Sequence, residues 1–203
     1  MNKQALFVFT KYPEKGKVKT RLAKDIGNEN AYAVYIRLVN TILKEVSHLK
    51  QTDVFIYFDK YQGHYPKEFI DIKAQYKEQS GKTIGDKMHN AFVEGKKLGY
   101  EKMVLIGCDI YQLTQKDIQQ AFSYLEKSDI VFGKANDGGY YLTGMKKVYK
   151  PVFSLSQWSH NKVIEETLAI VNALGLKVAF TPTKIDVDTL DDLKQTSLYD
   201  AFG

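Results

Sequence analysis

The sequence predicts an α/β fold built on a mostly parallel sheet, and three observations carry that expectation. First, apolar runs of strand length without alternation recur at 5–10, 53–58, 102–107 and 129–133. A run of that kind is a strand covered on both faces, as in a parallel sheet. Second, helical patterns fall between the runs. In 29–49, Ala31, Val34, Leu38, Ile42, Val46 and Leu49 share one face, and 83–98, 114–126 and 160–174 also read as helices. Third, Thr83-x-x-Asp86, Thr114-x-x-Asp117 and Thr189-x-x-Asp192 mark three helix starts. In each, the threonine oxygen accepts a free N–H and the carboxylate sits near the positive helix end. Alternating strands and helices imply the α/β class.

Taken in order, 5–10 is the first strand and 29–49 the first helix. The run 53–58 follows, and then a polar stretch, 59–82, holds one short candidate strand at Ile70–Ala74. Weaker strand signals lie at 140–144 and 177–180. No repeat, low-complexity tract or linker interrupts residues 1–203, so one domain is expected.

Composition narrows the function. Lys plus Arg number 29 against 24 Asp plus Glu, a net charge of +5. That suits a protein that handles anions without requiring nucleic acid. The positive charge concentrates in one loop rather than along a stripe, so no nucleic-acid partner is expected. The single cysteine, Cys108, excludes an internal disulfide framework and multi-cysteine zinc patterns. No apolar stretch reaches the roughly 18 residues of a membrane span. Lys11 cuts the N-terminal apolar run shorter than a signal peptide needs, which points to a cytoplasmic protein.

Four segments carry the chemistry. The first is Lys11-Tyr-Pro-Glu-Lys-Gly-Lys-Val-Lys-Thr-Arg21, with five cations in eleven residues. It follows the first strand, where open α/β sheets bind their ligands. A basic loop there is a candidate phosphate cradle, and Arg21 can give a bidentate contact. It is neither a Walker loop nor a dinucleotide-binding loop. The second is Gly107-Cys108-Asp109, at the end of the run 102–107. Asp109 either caps the following turn or offers a hard oxygen to Mg²⁺ or Mn²⁺.

The third segment is Asn136-Asp-Gly-Gly-Tyr-Tyr-Leu142. Asp-Gly-Gly between two strand-like runs is a hairpin turn, and paired glycines also let a ligand approach the backbone. The fourth is Ile185-Asp-Val-Asp-Thr-Leu-Asp-Asp-Leu193. Asp186 and Asp188 alternate, so in an extended segment they point the same way and could complete a cation site with Asp109. Helix capping accounts for Asp191 and Asp192. The four histidines share no metal-ligand spacing, and Trp158 reads as a core anchor or a pocket wall.

Together these segments resemble one bacterial family of proposed glycosyltransferases of the GT-A, nucleotide-diphospho-sugar transferase type. The resemblance rests on Lys-x-Pro-x-x-Gly-x-Val-Lys-Thr-Arg-Leu, Gly-x-Asp, Asp-Gly-Gly-Tyr-Tyr-Leu and Asp-Val-Asp-Thr-x-x-Asp-Leu, in that order from Ala5 to about Leu193. The Lys-Thr-Arg-Leu portion is also similar to guanylyltransferases that build redox cofactors. The family has Asp-Ser-Pro after the strand, where this chain has Asp109-Ile110-Tyr111.

The resemblance implies a three-layer sandwich with a mixed, mainly parallel sheet, a divalent metal and a nucleotide-bearing donor. It implies Lys11, Lys19 and Arg21 on the donor phosphates, and Gln79 and Gly81 on the nucleotide pocket. Asp109 and Asp188 would bind the metal, with Asp186 as a further ligand. Asp137, Gly138 and Gly139 would line the acceptor side, with Asp109 and Asp137 as the catalytic carboxylates. The expected reaction is transfer from a nucleotide sugar to a small-molecule acceptor. The competing readings are nucleotidyl transfer from a nucleoside triphosphate with release of pyrophosphate, and a non-catalytic nucleotide-binding module.

Overall fold

The computed structural model describes residues 3–201. Eight strands form one sheet: β1 (Gln4–Thr10), β2 (Thr52–Phe58), β3 (Gln75–Glu78), β4 (Lys102–Gly107), β5 (Ile110–Tyr111), β6 (Ile130–Ala135), β7 (Tyr140–Met145) and β8 (Val178–Asp186). Their order across the sheet is β3-β2-β1-β4-β7-β6-β8-β5. β1 pairs in parallel with β2 and β4, β2 with β3, and β6 with β8. β7 runs antiparallel between β4 and β6, and β5 runs antiparallel to β8. The carboxyl ends of β1, β4, β6 and β8 therefore lie on one edge, and the chain leaves β1 in both directions across the sheet.

The helices are α1 (Ala23–Ser47), α2 (Ile84–Lys97), α3 (Gln115–Tyr124), α4 (Val163–Ala173) and α5 (Leu190–Lys194). From Ala5 to Thr10 every β1 side chain is buried, and alternate ones face opposite layers. Leu6 and Val8 pack with Tyr35, Val39 and Ile42 of α1 and Ile118 and Phe122 of α3. Ala5, Phe7 and Phe9 pack with Met88 and Phe92 of α2 and Val171 of α4. This is the three-layer sandwich. Burial of each large apolar side chain contributes about 1.5–3 kcal/mol, which is why β1 carries no polar face. Among the described residues, no helix is long and apolar enough to cross a membrane.

All three threonine starts form reciprocal capping boxes, at α2, α3 and α5. Two expectations are corrected. The short strand in the polar stretch is Gln75–Glu78, not Ile70–Ala74. It is a half-exposed edge strand whose pairing with β2 needs backbone groups rather than an apolar face. The first helix begins at Ala23, upstream of the apolar stripe, with Gly27 in a non-helical, left-handed conformation marking a kink.

Gly138 turns the β6–β7 hairpin at φ +88°, and a Cβ there would lie 1.9 Å from the Asn161 carbonyl oxygen. Gly138→Ala combines a disfavoured backbone with a collision against backbone that has no free end to yield. It is expected to cost about 2 kcal/mol or more, read as a lowered urea midpoint.

Candidate functional site

The loop after β1 is anchored before it turns. The buried Tyr35 hydroxyl of α1 accepts the Lys11 N–H at 2.9 Å and donates to the Lys11 carbonyl at 2.7 Å. It also lies 2.8 Å from Thr10 Oγ1. The five cations then separate. Lys15 and Lys17 pair with Glu29 and Glu14 on the surface. Lys11, Lys19 and Arg21 line a cleft of about 580 Å³, together with Asp109, Asp137 and Asp188. That volume lies in the range of small-molecule sites. A hollow of similar size, about 600 Å³, runs along α1 beside Ile36 and Ile70. It is a mainly apolar surface groove away from the strand ends.

Lys19 has a left-handed backbone, φ +48°. Such a conformation costs of order 1 kcal/mol for a residue with a Cβ, and it occurs where the surroundings enforce it. Here the ammonium sits at the centre of an acidic cluster. Lys19 Nζ lies 2.7 Å from Asp109 Oδ1, 3.3 Å from Asp188 Oδ1 and 3.9 Å from Asp186 Oδ1. The Lys19 side chain is only 2% exposed. Burial alone would discharge it, but the three carboxylates outweigh that effect and hold its pKa above the usual lysine value. In turn, burial opposes the charge on Asp109, while Lys19 and then Lys11 bring its carboxyl below the usual range.

Asp186 behaves oppositely. Burial first, and then the Asp109 carboxylate, push its carboxyl up to about 8 against the pull of Lys19. The folded state thus holds one more proton than the unfolded chain from about pH 4 to about pH 8. Stability therefore falls as pH rises through that window. Urea midpoints measured across it are expected to decline, and Asp186→Asn is expected to flatten the profile.

The cluster unites elements far apart in sequence. Asp109 follows β4, Asp186 is the last residue of β8, and Asp188 lies two positions beyond it. The Val187 N–H donates to the Asp109 carbonyl at 3.1 Å. The Asp186 N–H donates to Asn136 Oδ1 at 3.0 Å, tying the end of β8 to the end of β6. Asp137 follows at once. Its Oδ1 accepts the Gly139 N–H at 2.9 Å, so the hairpin uses one of its two oxygens. Asp137 and Gly139 line the cleft. Gly138 does not, because its bare Cα faces the Asn161 backbone.

Arg21 is exposed, with Nη1 3.6 Å from Asp188 Oδ2. Gln79 and Gly81 are not among the residues lining this cleft, although Gln79 reaches the Thr10 carbonyl next to Lys11. The Gln79 amide donates to the carbonyls of Thr10 and Tyr57, closing the ends of β1 and β2. Gly81, at φ +135°, lets the loop pass within contact of Asp86 at the start of α2. The far wall of the cleft is Trp158-Ser159-His160-Asn161, ahead of α4. In the sequence His160 has no metal-ligand spacing, and no other role is expected of it. The polar run before a helix start was the signal that could have drawn attention to it.

Among the described residues, no group of three or more acidic, histidine or cysteine side chains is arranged to hold a metal ion, and an ammonium gathers these carboxylates. The donor set nevertheless fits a hard divalent cation. It is all oxygen, it carries more negative charge than Lys19 offsets, and the buried Asp186 Oδ1 has no hydrogen-bond partner.

The model of a bacterial family described as an uncharacterized protein conserved in bacteria (DUF2064) matches residues 42–160. The chain belongs to this family. The DUF2064 match contains Asp109 and Asp137–Gly139 and stops short of the basic loop and of Asp186 and Asp188. No curated protein matches the chain.

Among solved structures, one from Desulfovibrio desulfuricans G20, provisionally described as a nucleotide-diphospho-sugar transferase, is similar at 29% identity and a TM-score of 0.88. The alignment covers 100% of this chain and 97% of that one. The fold is shared with 4-diphosphocytidyl-2C-methyl-D-erythritol synthase from Anaerococcus prevotii, at 11% identity and a TM-score of 0.59, covering 98% and 96% of the two chains. It is also shared with the inositol-1-phosphate CTP transferase from T. maritima, at 14% and 0.53, covering 98% and 94%. The architecture of this DUF2064 member is thus that of nucleotide-diphospho-sugar transferases and nucleotidyltransferases.

Proposed function

We propose that this protein is a transferase that takes a nucleotide sugar as donor and moves the sugar to a small-molecule acceptor. The observation that carries this reading is the convergence of Lys11, Arg21, the Lys19-centred carboxylates and Asp137 in one cleft. The cleft lies beyond the carboxyl ends of parallel strands, where such sheets bind nucleotides. The name given to the Desulfovibrio protein supports the sugar-transfer reading.

In this mechanism Lys11 and Arg21 bind the donor diphosphate, Arg21 through its planar fork. Lys19 is a positioning residue that holds Asp109, Asp186 and Asp188 together. Asp109 and Asp188, with Asp186 as a further ligand, would hold Mg²⁺ or Mn²⁺, whose charge would stabilise the diphosphate as it departs. The acceptor oxygen forms a bond to the anomeric carbon. The bond from that carbon to the diphosphate oxygen breaks, and its electron pair leaves with the nucleoside diphosphate. The acceptor proton passes to the Asp137 oxygen that the hairpin does not use.

The test is a thermal-shift screen of nucleoside triphosphates and nucleotide sugars with Mg²⁺ or Mn²⁺, followed by product analysis. Ligand binding to the folded state raises its apparent stability. Release of a nucleoside diphosphate supports the proposal. Pyrophosphate release would move the assignment to nucleotidyl transfer, and binding without turnover to a nucleotide-binding module. Arg21→Ala is expected to weaken the donor about tenfold or more with the fold intact, consistent with about 1.5–3 kcal/mol for charged hydrogen bonds. Arg21→Lys should recover only part, because the ammonium lacks the fork. Isothermal titration reads both.

A further inference from the structure

Beside the main cleft lies a smaller recess of about 180 Å³. Asp137, Gly139 and Trp158 form the shared wall, and Ile84, Met88, Tyr140 and Val163 supply an apolar lining. The indole is held firmly. It packs on the bare backbone of Gly85, where a Cβ would lie 2.5 Å from Trp158 Cζ2. Its ring also meets Tyr140 edge-on, with centroids 6.4 Å apart.

Among the described residues, three buried side-chain polar atoms lack a hydrogen-bond partner: Thr143 Oγ1, Trp158 Nε1 and Asp186 Oδ1. Of these, Trp158 Nε1 belongs to the wall of this recess, whereas Asp186 Oδ1 lies 3.9 Å from the Lys19 ammonium. Native proteins rarely leave such atoms unpaired, and an unfilled ligand position is one reason they do. The charge of the lining is one-sided. The Asp137 carboxylate borders the recess, Asp186 there keeps its proton up to about pH 8, and no lysine or arginine lines it.

We propose that the recess is the acceptor subsite and that it takes a neutral, compact, apolar-bodied alcohol. The proposal rests on the transferase reading above and adds the class of acceptor. The volume matches a body of six to eight heavy atoms, since an apolar cavity of about 150 Å³ accommodates benzene. A hydroxyl is the group that fits a wall offering an indole donor beside carboxylates. Its oxygen accepts from Trp158 Nε1–H, and its proton points to a carboxylate. During transfer that proton goes to Asp137, at the edge the recess shares with the donor cleft. A phosphorylated acceptor is disfavoured, because its charge would face the Asp137 carboxylate with no lysine or arginine on the recess wall.

The experiment uses benzyl alcohol, toluene and benzyl phosphate as probes on the full chain. Trp158 is the single tryptophan, so its emission reports occupancy directly, and ligand-observed NMR gives a second readout. Benzyl alcohol is expected to bind in the millimolar range, as suits about eight heavy atoms. Toluene should bind about fivefold more weakly for want of the hydroxyl, and benzyl phosphate at least tenfold more weakly. Trp158→Phe, followed by NMR, should reduce the alcohol to the level of toluene. Ile84→Phe, at a partly exposed position that tolerates bulk, should fill the recess and abolish alcohol binding while UDP binding is kept.

Equal binding of alcohol and toluene, tighter binding of the phosphate, or undiminished alcohol binding in Ile84→Phe would overturn the proposal. The two readings fail separately. Alcohol binding in a protein that binds no nucleotide would sink the transferase assignment and leave the recess as an alcohol site without an acceptor role. Nucleotide binding without alcohol binding would do the reverse.

Discussion

Lys19→Met is expected to lower stability and to abolish transfer. Methionine keeps the length and the apolar stem of lysine but removes the charge that three carboxylates share. Breaking a fully buried ion pair costs about 3–5 kcal/mol. The carboxylates here retain 26–47% of their side-chain exposure, and water screens part of the loss. About 2 kcal/mol is expected, or a fall in Tm of roughly 4–8 °C for a chain of this size. Adding Asp109→Asn should restore part of the loss, because it removes one of the stranded charges, and a double-mutant cycle isolates that coupling. Calorimetry on the four proteins settles the matter. An unchanged Tm in Lys19→Met would mean that the carboxylates do not depend on the ammonium.

Asp137→Asn separates turn from chemistry. The hairpin needs one oxygen to accept the Gly139 N–H, and the asparagine carbonyl supplies it in the same place. Asparagine also suits turn conformations. Stability is therefore expected to change by less than about 0.5 kcal/mol, and donor affinity by less than about twofold. What is lost is the second carboxylate oxygen and its charge, so no group takes the acceptor proton. Turnover should fall by about 10²–10⁴, the usual contribution of a positioned base. Steady-state rates, alongside donor titration and a melting curve, make the comparison. Normal turnover would make Asp137 a structural residue.

Much of this architecture was legible in the chain because burial writes itself into apolar runs. β1, β2, β4 and β6 are covered on both faces, and each appears as such a run. The three threonine caps were legible because their hydrogen bonds are local. β3 was not, because Gln-Tyr-Lys-Glu at a sheet edge is held by backbone pairing that leaves no apolar trace. β5 is two residues long and owes its existence to β8, distant in sequence.

The candidate site divides in the same way. The meeting of Asp109 with Asp186 and Asp188 followed from strand ends and spacing. The position of Lys19 did not follow from charge pattern, since five cations in a loop look alike until the backbone turns one of them inward at φ +48°. Gln79 and Gly81 sit in a segment that resembles a nucleotide pocket, and the contacts they make in the structure are local. One satisfies two strand-end carbonyls, and the other admits a close approach to α2.

The contact between Lys19 and Asp188 spans 169 positions. A ring that large closes only against the entropy of nearly the whole chain, and non-local closures of this kind come late in folding. On the ribosome, synthesis proceeds from the N-terminus, so the basic loop and β1 emerge long before the partners of Lys19. Until the segment after β8 is made, the ammonium has only Asp109 to bind. A nascent or prematurely terminated chain can thus lay down most of the sheet and still lack a working cleft. The acidic cluster around Lys19 is therefore complete only once Asp186 and Asp188 have been made, after every other strand of the sheet.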